Sequence, residues 1–162
     1  MIKEKDKTVI NRLDKKGYKE PSALIKGYRT VLKGKKGMLD VNDNEASDFI
    51  YDYISEVYGN NYVCAKNNGK RGYLGLSNNK FEELFDFRDY ANLKRMNDDG
   101  FAFVQKKFDK KYLAGVVNLV GELIVPFKYR LRYSHKTGYF LSTYSKSSFY
   151  SINKKGELVK IK

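Results

Sequence analysis

Catalysis needs nucleophiles, acid–base groups or metal ligands at workable spacing, and this chain offers few. His135 is its only histidine and Cys64 its only cysteine. A Ser-His-Asp or Cys-His arrangement must therefore use His135, which falls in a turn beside Lys136 with nothing near it to orient the ring. Cys64 sits between Val63 and Ala65, the setting of a small core residue rather than an activated thiol. One Cys and one His cannot complete a structural zinc site. Asp40-Val41-Asn42-Asp43-Asn44-Glu45 has the spacing of a calcium loop, yet its sixth position is not glycine and its twelfth is Tyr51 instead of Glu. A turn or helix cap accounts for it better. Leu32–Gly37 is rich in Gly and Lys but no helix follows to hold a phosphate. Glu82 and Glu83 are adjacent and solvated. These residues point away from an enzyme, a cofactor or a metal. The catalytic alternative is a metal-dependent nuclease built on Asp40, Asp43 and Glu45.

Ionic binding is the chemistry the sequence favours. The formal net charge is +13 and it is unevenly spread. Residues 1–37 carry +8, residues 38–61 carry −6, residues 62–100 carry +1 and residues 101–162 carry +10. Such asymmetry implies an oriented field rather than uniform solubilising charge. The cations also cluster at turns: Lys33, Lys35 and Lys36; Lys70 and Arg71; Lys106, Lys107, Lys110 and Lys111; and Lys146. Lys128, Arg130 and Arg132 alternate with Tyr129, Leu131 and Tyr133, as on the two faces of a strand. Tyr133 and Tyr139 are candidate stacking groups for bases.

The elements that must position these turns repeat along the chain. The template is Gly, two aliphatic residues and Asp or Asn, then a turn residue three positions on and an aromatic eleven positions after the Asp or Asn. Gly115-Val116-Val117-Asn118 fits with Gly121 and Tyr129, and Gly37-Met38-Leu39-Asp40 fits with Asp43 and Tyr51. Gly72-Tyr73-Leu74-Gly75 is a looser copy with Asn78. Tyr150-Ser151-Ile152-Asn153 with Gly156 is a truncated one, and Arg12-Leu13-Asp14 with Gly17 is the weakest. An aromatic-led strand precedes each main copy, at Tyr28, Tyr62, Phe101 and Phe140. In a regular array, equivalent turns share one edge, so their cations would form a stripe suited to a phosphate backbone.

This pattern resembles the WG-containing β-repeat found in many bacterial proteins, most closely over Gly115 to Tyr129 with Pro126. The chain has no Trp; the family's Trp position holds Lys36, Arg71, Ala114 and Phe149. The resemblance implies a β-repeat architecture and a binding role.

The resulting expectation is one mainly β domain of consecutive antiparallel hairpin or three-stranded repeats, arranged as a curved array or a small propeller. Residues 1–27 read as a basic N-terminal arm and degenerate capping repeat. Repeats follow over about 28–61, 62–100, 101–139 and 140–162. Ala46, Phe49, Ile50, Tyr53, Ile54 and Val57 fall at helical spacing, so the periodicity predicts a helix within 46–57. No apolar run approaches the roughly 18 residues of a membrane span, and the N-terminus lacks an apolar signal core. With a lone cysteine, this suggests a cytoplasmic, monomeric protein. The expected partner is RNA or DNA, or a nucleoprotein or nucleic-acid enzyme. The alternative is a phage-type inhibitor, similar to anti-CRISPR proteins, that docks onto such an enzyme through protein contacts, with the acidic 38–61 segment facing a basic surface.

Overall fold

Every described strand pairs with a neighbour in sequence, so the described sheets are antiparallel meanders without crossovers. The structure, a computed structural model, describes residues 4–57 and 60–161; residues 1–3 of the expected arm and Lys162 of the last expected repeat lie outside the described residues. A helix, α1 (Glu4–Lys15), comes first. Strands β1 (Tyr28–Lys33) and β2 (Lys35–Asp40) form a hairpin. A four-stranded sheet holds β3 (Tyr53–Ile54), β4 (Tyr62–Asn67), β5 (Lys70–Ser77) and β6 (Lys80–Glu83). The seven-stranded sheet starts with β7 (Asn92–Leu93), β8 (Ala102–Phe108), β9 (Lys111–Val117) and β10 (Leu123–Ser134). It ends with β11 (Gly138–Ser142), β12 (Phe149–Ile152) and β13 (Leu158–Lys160). The mainly β, antiparallel class expected from the sequence is what the chain forms.

Local chemistry explains the turns. Asn68-Gly69 and Asn78-Asn79 have positive φ at both positions, as two-residue hairpin loops require. A second turn type occurs at Asp40, Asn97, Asn118 and Asn153. In each, the side-chain Oδ1 accepts the backbone N–H groups two and four residues on. The residue three positions on takes positive φ: Asp43, Gly100, Gly121 and Gly156. In the copies at Asp40, Asn118 and Asn153, the Asp/Asn and turn positions of the template are thus the two halves of an Asx turn.

The paired aliphatics of the template also have a physical meaning. Side chains alternate across a strand, and here both faces are buried. Met38 packs with Tyr51, Ile54 and Leu74, whereas Leu39 packs with Leu13, Tyr18 and Val31. Leu74 lies in the first of those clusters and Tyr73 joins Tyr90, Val104 and Val117. Val117 lies in that third cluster, and Val116 joins Val125, Tyr129 and Leu141. Each central strand therefore divides one core from the next. The template glycines sit where another segment presses on the strand. A Cβ on Gly37 would meet the Phe49 ring at 2.5 Å, one on Gly72 would collide with Phe87, and one on Gly115 with the carbonyl oxygen of Val125.

Two expectations are corrected. Residues 46–57 form no helix. Ala46 N–H donates to Met38 O at 2.8 Å, Asp52 N–H to Lys66 O at 2.8 Å and Ser55 N–H to Cys64 O at 2.8 Å. The segment is irregular extended chain between β2 and β4. Ala46, Tyr51, Ile54 and Val57 are buried, but Ile50 and Tyr53 of the expected apolar face are exposed. Pairing with two neighbours satisfies the backbone, so the helical spacing is overridden. At the other end, residues 4–15 are helical rather than a degenerate β copy. Gly17 (φ 89°) caps α1: its N–H donates to Asp14 O and Tyr18 N–H donates to Leu13 O, a Schellman closure. Val9, Leu13 and Tyr18 then dock on Val31, Leu39 and Phe49. The Asp14-Gly17 spacing is a helix stop, which shares the positive-φ residue of the later copies but neither their Asx turn nor their strand: the Asp14 carboxylate accepts from Lys19 Nζ. At the C-terminal end, β13 pairs only with β12 among the described residues, and the sheets form no closed barrel.

Candidate functional site

Contacts join each main hairpin tip to the next. Asp52 pairs with Lys35 at the β1–β2 tip and accepts the Asn68 N–H of the β4–β5 tip at 3.0 Å. Those bonds hold the Asp52 carboxyl below the usual range, Lys35 being the main cause. Arg71, just past the second tip, donates from Nη1 to Tyr90 O at 2.8 Å, and the adjacent Asp89 pairs with Lys106 of β8 at 3.4 Å. Lys111 beside the third tip lies 4.5 Å from the ring centre of Tyr144 in the fourth, and Arg130 lies 4.7 Å from the same ring. The tips therefore form a row.

The row is not uniformly basic. In its first half, Lys35 and Lys106 are neutralised by Asp52 and Asp89, Lys33 covers the Tyr18 ring at 5.3 Å, and Lys36 is half-buried with its backbone bridged to Tyr51. Lys70 is exposed at the start of β5. In the second half, Lys107, Lys110, Lys111, Arg130 and Lys146 are paired with no carboxylate among the described residues. Lys107 lies over Tyr112 at 5.7 Å and Lys128 over Tyr129 at 5.5 Å, while Arg132 is half-buried opposite Phe140. Tyr133 is exposed, with His135 and Tyr139 against its ring at centroid distances of 5.6 and 5.1 Å. Tyr144 is a binding candidate that the sequence reading passed over. Its signal was an aromatic inside a basic, Ser-rich turn, Thr143–Ser148, whose Thr143 Oγ1 accepts the N–H groups of Ser147 and Ser148.

A cleft of about 640 Å³ opens between the four-stranded sheet and β7. Lys66, Arg71, Lys94 and Arg95 line it with Tyr53 and Tyr139, and no carboxylate among the described residues does. Lys94 Nζ lies 4.8 Å from the Tyr139 ring centre, and Tyr73 donates its hydroxyl to Lys94 O at 2.7 Å. Of the residues named from sequence, Arg71 and Tyr139 meet here; Lys66, Lys94 and Arg95 were not singled out. Cys64 also lines the cleft, and burial pushes its thiol up to about 11, so it is mostly protonated at neutral pH.

The carboxylates of the nuclease alternative do structural work. Asp40 holds its own turn, Asp43 pairs with Arg12 at 2.8 Å and Lys16 at 3.0 Å, and Glu45 accepts the Tyr18 hydroxyl at 3.1 Å. Among the described residues, no three His, Cys, Asp or Glu side chains are grouped to hold a metal ion. No described helix is long and apolar enough to cross a membrane.

No protein-family model, curated protein or solved structure matches this chain.

Proposed function

We propose that the chain is a non-catalytic module that binds single-stranded RNA or DNA, free or within a nucleoprotein, along its row of hairpin tips. The observation that carries this reading is the half-exposed Tyr144 ring with Lys111 and Arg130 4.5 and 4.7 Å from its centre, in the half of the row whose cations lack carboxylate partners among the described residues. Cations that track phosphates beside exposed rings that stack on bases are what sequence-tolerant single-strand binders use. Duplex binding needs no exposed rings, so the ring placement favours the single strand.

The architecture belongs to the same proposal. We read the protein as an open stack of divergent β-repeats of the WG-containing kind, α1 capping one end. The recurring Asx turns and the alternation of core clusters across β2, β5 and β9 support that reading. The inhibitor alternative places the acidic 38–61 segment against a basic protein. Asp40, Asp43, Glu45 and Asp52 are already used within the fold, which weighs against it.

The test is fluorescence anisotropy with a labelled mixed-sequence single strand, against polyglutamate of equal charge as competitor. Binding that polyglutamate displaces poorly, and that Tyr144→Ala weakens, supports the module. Absence of binding at low salt by a folded protein overturns it.

A further inference from the structure

We propose that the cleft between the four-stranded sheet and β7 is a binding site for one nucleoside phosphate, separate from the row of tips. The argument starts from a like-charge pair. Lys66 and Arg71 face one another directly across β4 and β5, an arrangement that destabilises a sheet. Both are half-buried, and half-buried Lys94 reaches the same cleft from the next sheet. No carboxylate among the described residues forms a salt bridge with any of the three; Asp52, already bridged to Lys35 outside the cleft lining, feels the Lys66 charge. Partial burial of convergent cations is costly unless an anion completes the group.

The site is also built. Arg71 is fixed by its bond to Tyr90 O, and the Lys94 backbone by the Tyr73 hydroxyl. A fixed guanidinium beside two ammonium groups suits a phosphate dianion. Tyr53 comes from one wall and Tyr139 from the other, giving flat apolar surface within reach of that anion. The volume of about 640 Å³ falls in the range of small-molecule sites. A second cleft of about 290 Å³ adjoins it, sharing Lys94, Arg95 and Tyr139, with Phe101 and Phe103 in its walls and the hydroxyl residues Thr137 and Ser151. Phosphate among Lys66, Arg71 and Lys94, base on the Tyr139 face now covered by Lys94, and sugar towards the hydroxyls use each of these features. The ligand's source is either a free mononucleotide or the phosphorylated end of a strand.

The experiment is calorimetric titration and thermal melting of the full chain with adenosine and uridine 5′-monophosphates, the bare nucleosides and inorganic phosphate. Nucleotide should bind and raise the melting temperature; nucleoside should do neither. Lys94→Ala and Lys66→Ala should each weaken nucleotide binding roughly tenfold, the scale of one charge-assisted contact. Lys66→Ala should also melt higher than the parent without ligand, because it relieves the pair with Arg71; a purely structural lysine would lower the melt. Tyr139→Ala should weaken nucleotide but not inorganic phosphate. Lys110→Gln with Lys146→Gln, on the row, should leave mononucleotide binding unchanged. Competition by a 5′-phosphorylated strand stronger than by its 5′-hydroxyl form assigns the strand end as source, and equal competition assigns the free nucleotide. If millimolar nucleotide neither binds nor shifts the melt, the cleft is no site, whatever strands do on the row.

Discussion

Tyr73 and Leu74 are consecutive in β5, yet they belong to different cores. Leu74 packs with Met38 and Val63, while Tyr73 packs with Tyr90 and Val104 and donates its hydroxyl to Lys94 O. Leu74→Ala should cost about 2–5 kcal/mol, as buried leucine truncations do. Tyr73→Phe should cost only about 1 kcal/mol, the scale of one hydrogen bond. In a stack the damage stays local. Hydrogen exchange in Leu74→Ala should accelerate in β2, β4 and β5 and remain near the parent in β11 and β12. Equal acceleration across all strands would mean one indivisible core.

Gly115 and Gly37 occupy the same place in the sequence template but face different obstacles. A side chain at Gly115 meets the Val125 carbonyl, part of the bulged β10 backbone, whereas one at Gly37 meets the Phe49 ring. A backbone cannot step aside as a half-buried ring can. Gly115→Ala should therefore cost about 1–3 kcal/mol and Gly37→Ala less, by urea denaturation. Equal losses would show that the ring is as fixed as the backbone.

The parts legible in the sequence are those with local causes. Asp40, Asn118 and Asn153 with their turn residues, and the paired aliphatics, each express chemistry within a few residues. The missed parts depend on distant partners. The 46–57 periodicity arises in an irregular strand buried by neighbours on several sides, which puts apolar residues at helix-like intervals without a helix. Helix α1 escaped because, among the described side chains, it brings Val9 and Leu13 alone to the core, a stripe too narrow to stand out. Basic turns were visible, but not their neutralisation by Asp52 and Asp89, 17 residues either way from Lys35 and Lys106. The cleft draws on Tyr53, Lys94 and Tyr139, which only tertiary packing brings together.

Asp43 ties α1 to the first hairpin. Its side chain is 6 % exposed, and Arg12 and Lys16 hold its carboxyl below the ordinary 3.8, the Arg12 bond being the largest cause. Buried Arg29 also has Asp43 as its neighbouring negative charge. A depressed carboxyl contributes stability that is complete above its unfolded value and is lost as pH falls through the folded one. Stability should thus decline below about pH 4. Asp43→Asn, which tolerates the positive φ, should remove that part of the acid loss. Since Arg12 and Lys16 are 42 % and 49 % exposed, the loss at neutral pH should be near 1 kcal/mol. Denaturant melts at pH 3 and pH 7 check it: an unchanged gap between the two in Asp43→Asn would show that other carboxylates set the acid limb.

The row of tips makes a quantitative claim about salt. For a single strand, log affinity should fall against log salt with a slope of about −0.7 per phosphate neutralised. Lys107→Gln with Lys110→Gln removes two unpaired cations, so the slope should flatten by about 1.4 and all sequences should weaken alike. Lys35→Gln with Lys106→Gln should flatten it less, because Asp52 and Asp89 already hold those ammonium groups. Releasing the two carboxylates would even add repulsion towards phosphate. Tyr144→Ala should leave the slope nearly unchanged and cost about 1–3 kcal/mol of affinity, the worth of one stacked base. Tyr144 is 48 % exposed, so the variant should still fold, and circular dichroism checks that. If both lysine pairs give the parent slope, the row is a solvated edge that takes no part in binding. If Tyr144→Ala flattens the slope as much as the lysine changes do, its role is to hold Lys111 and Arg130 in place, not to stack on a base.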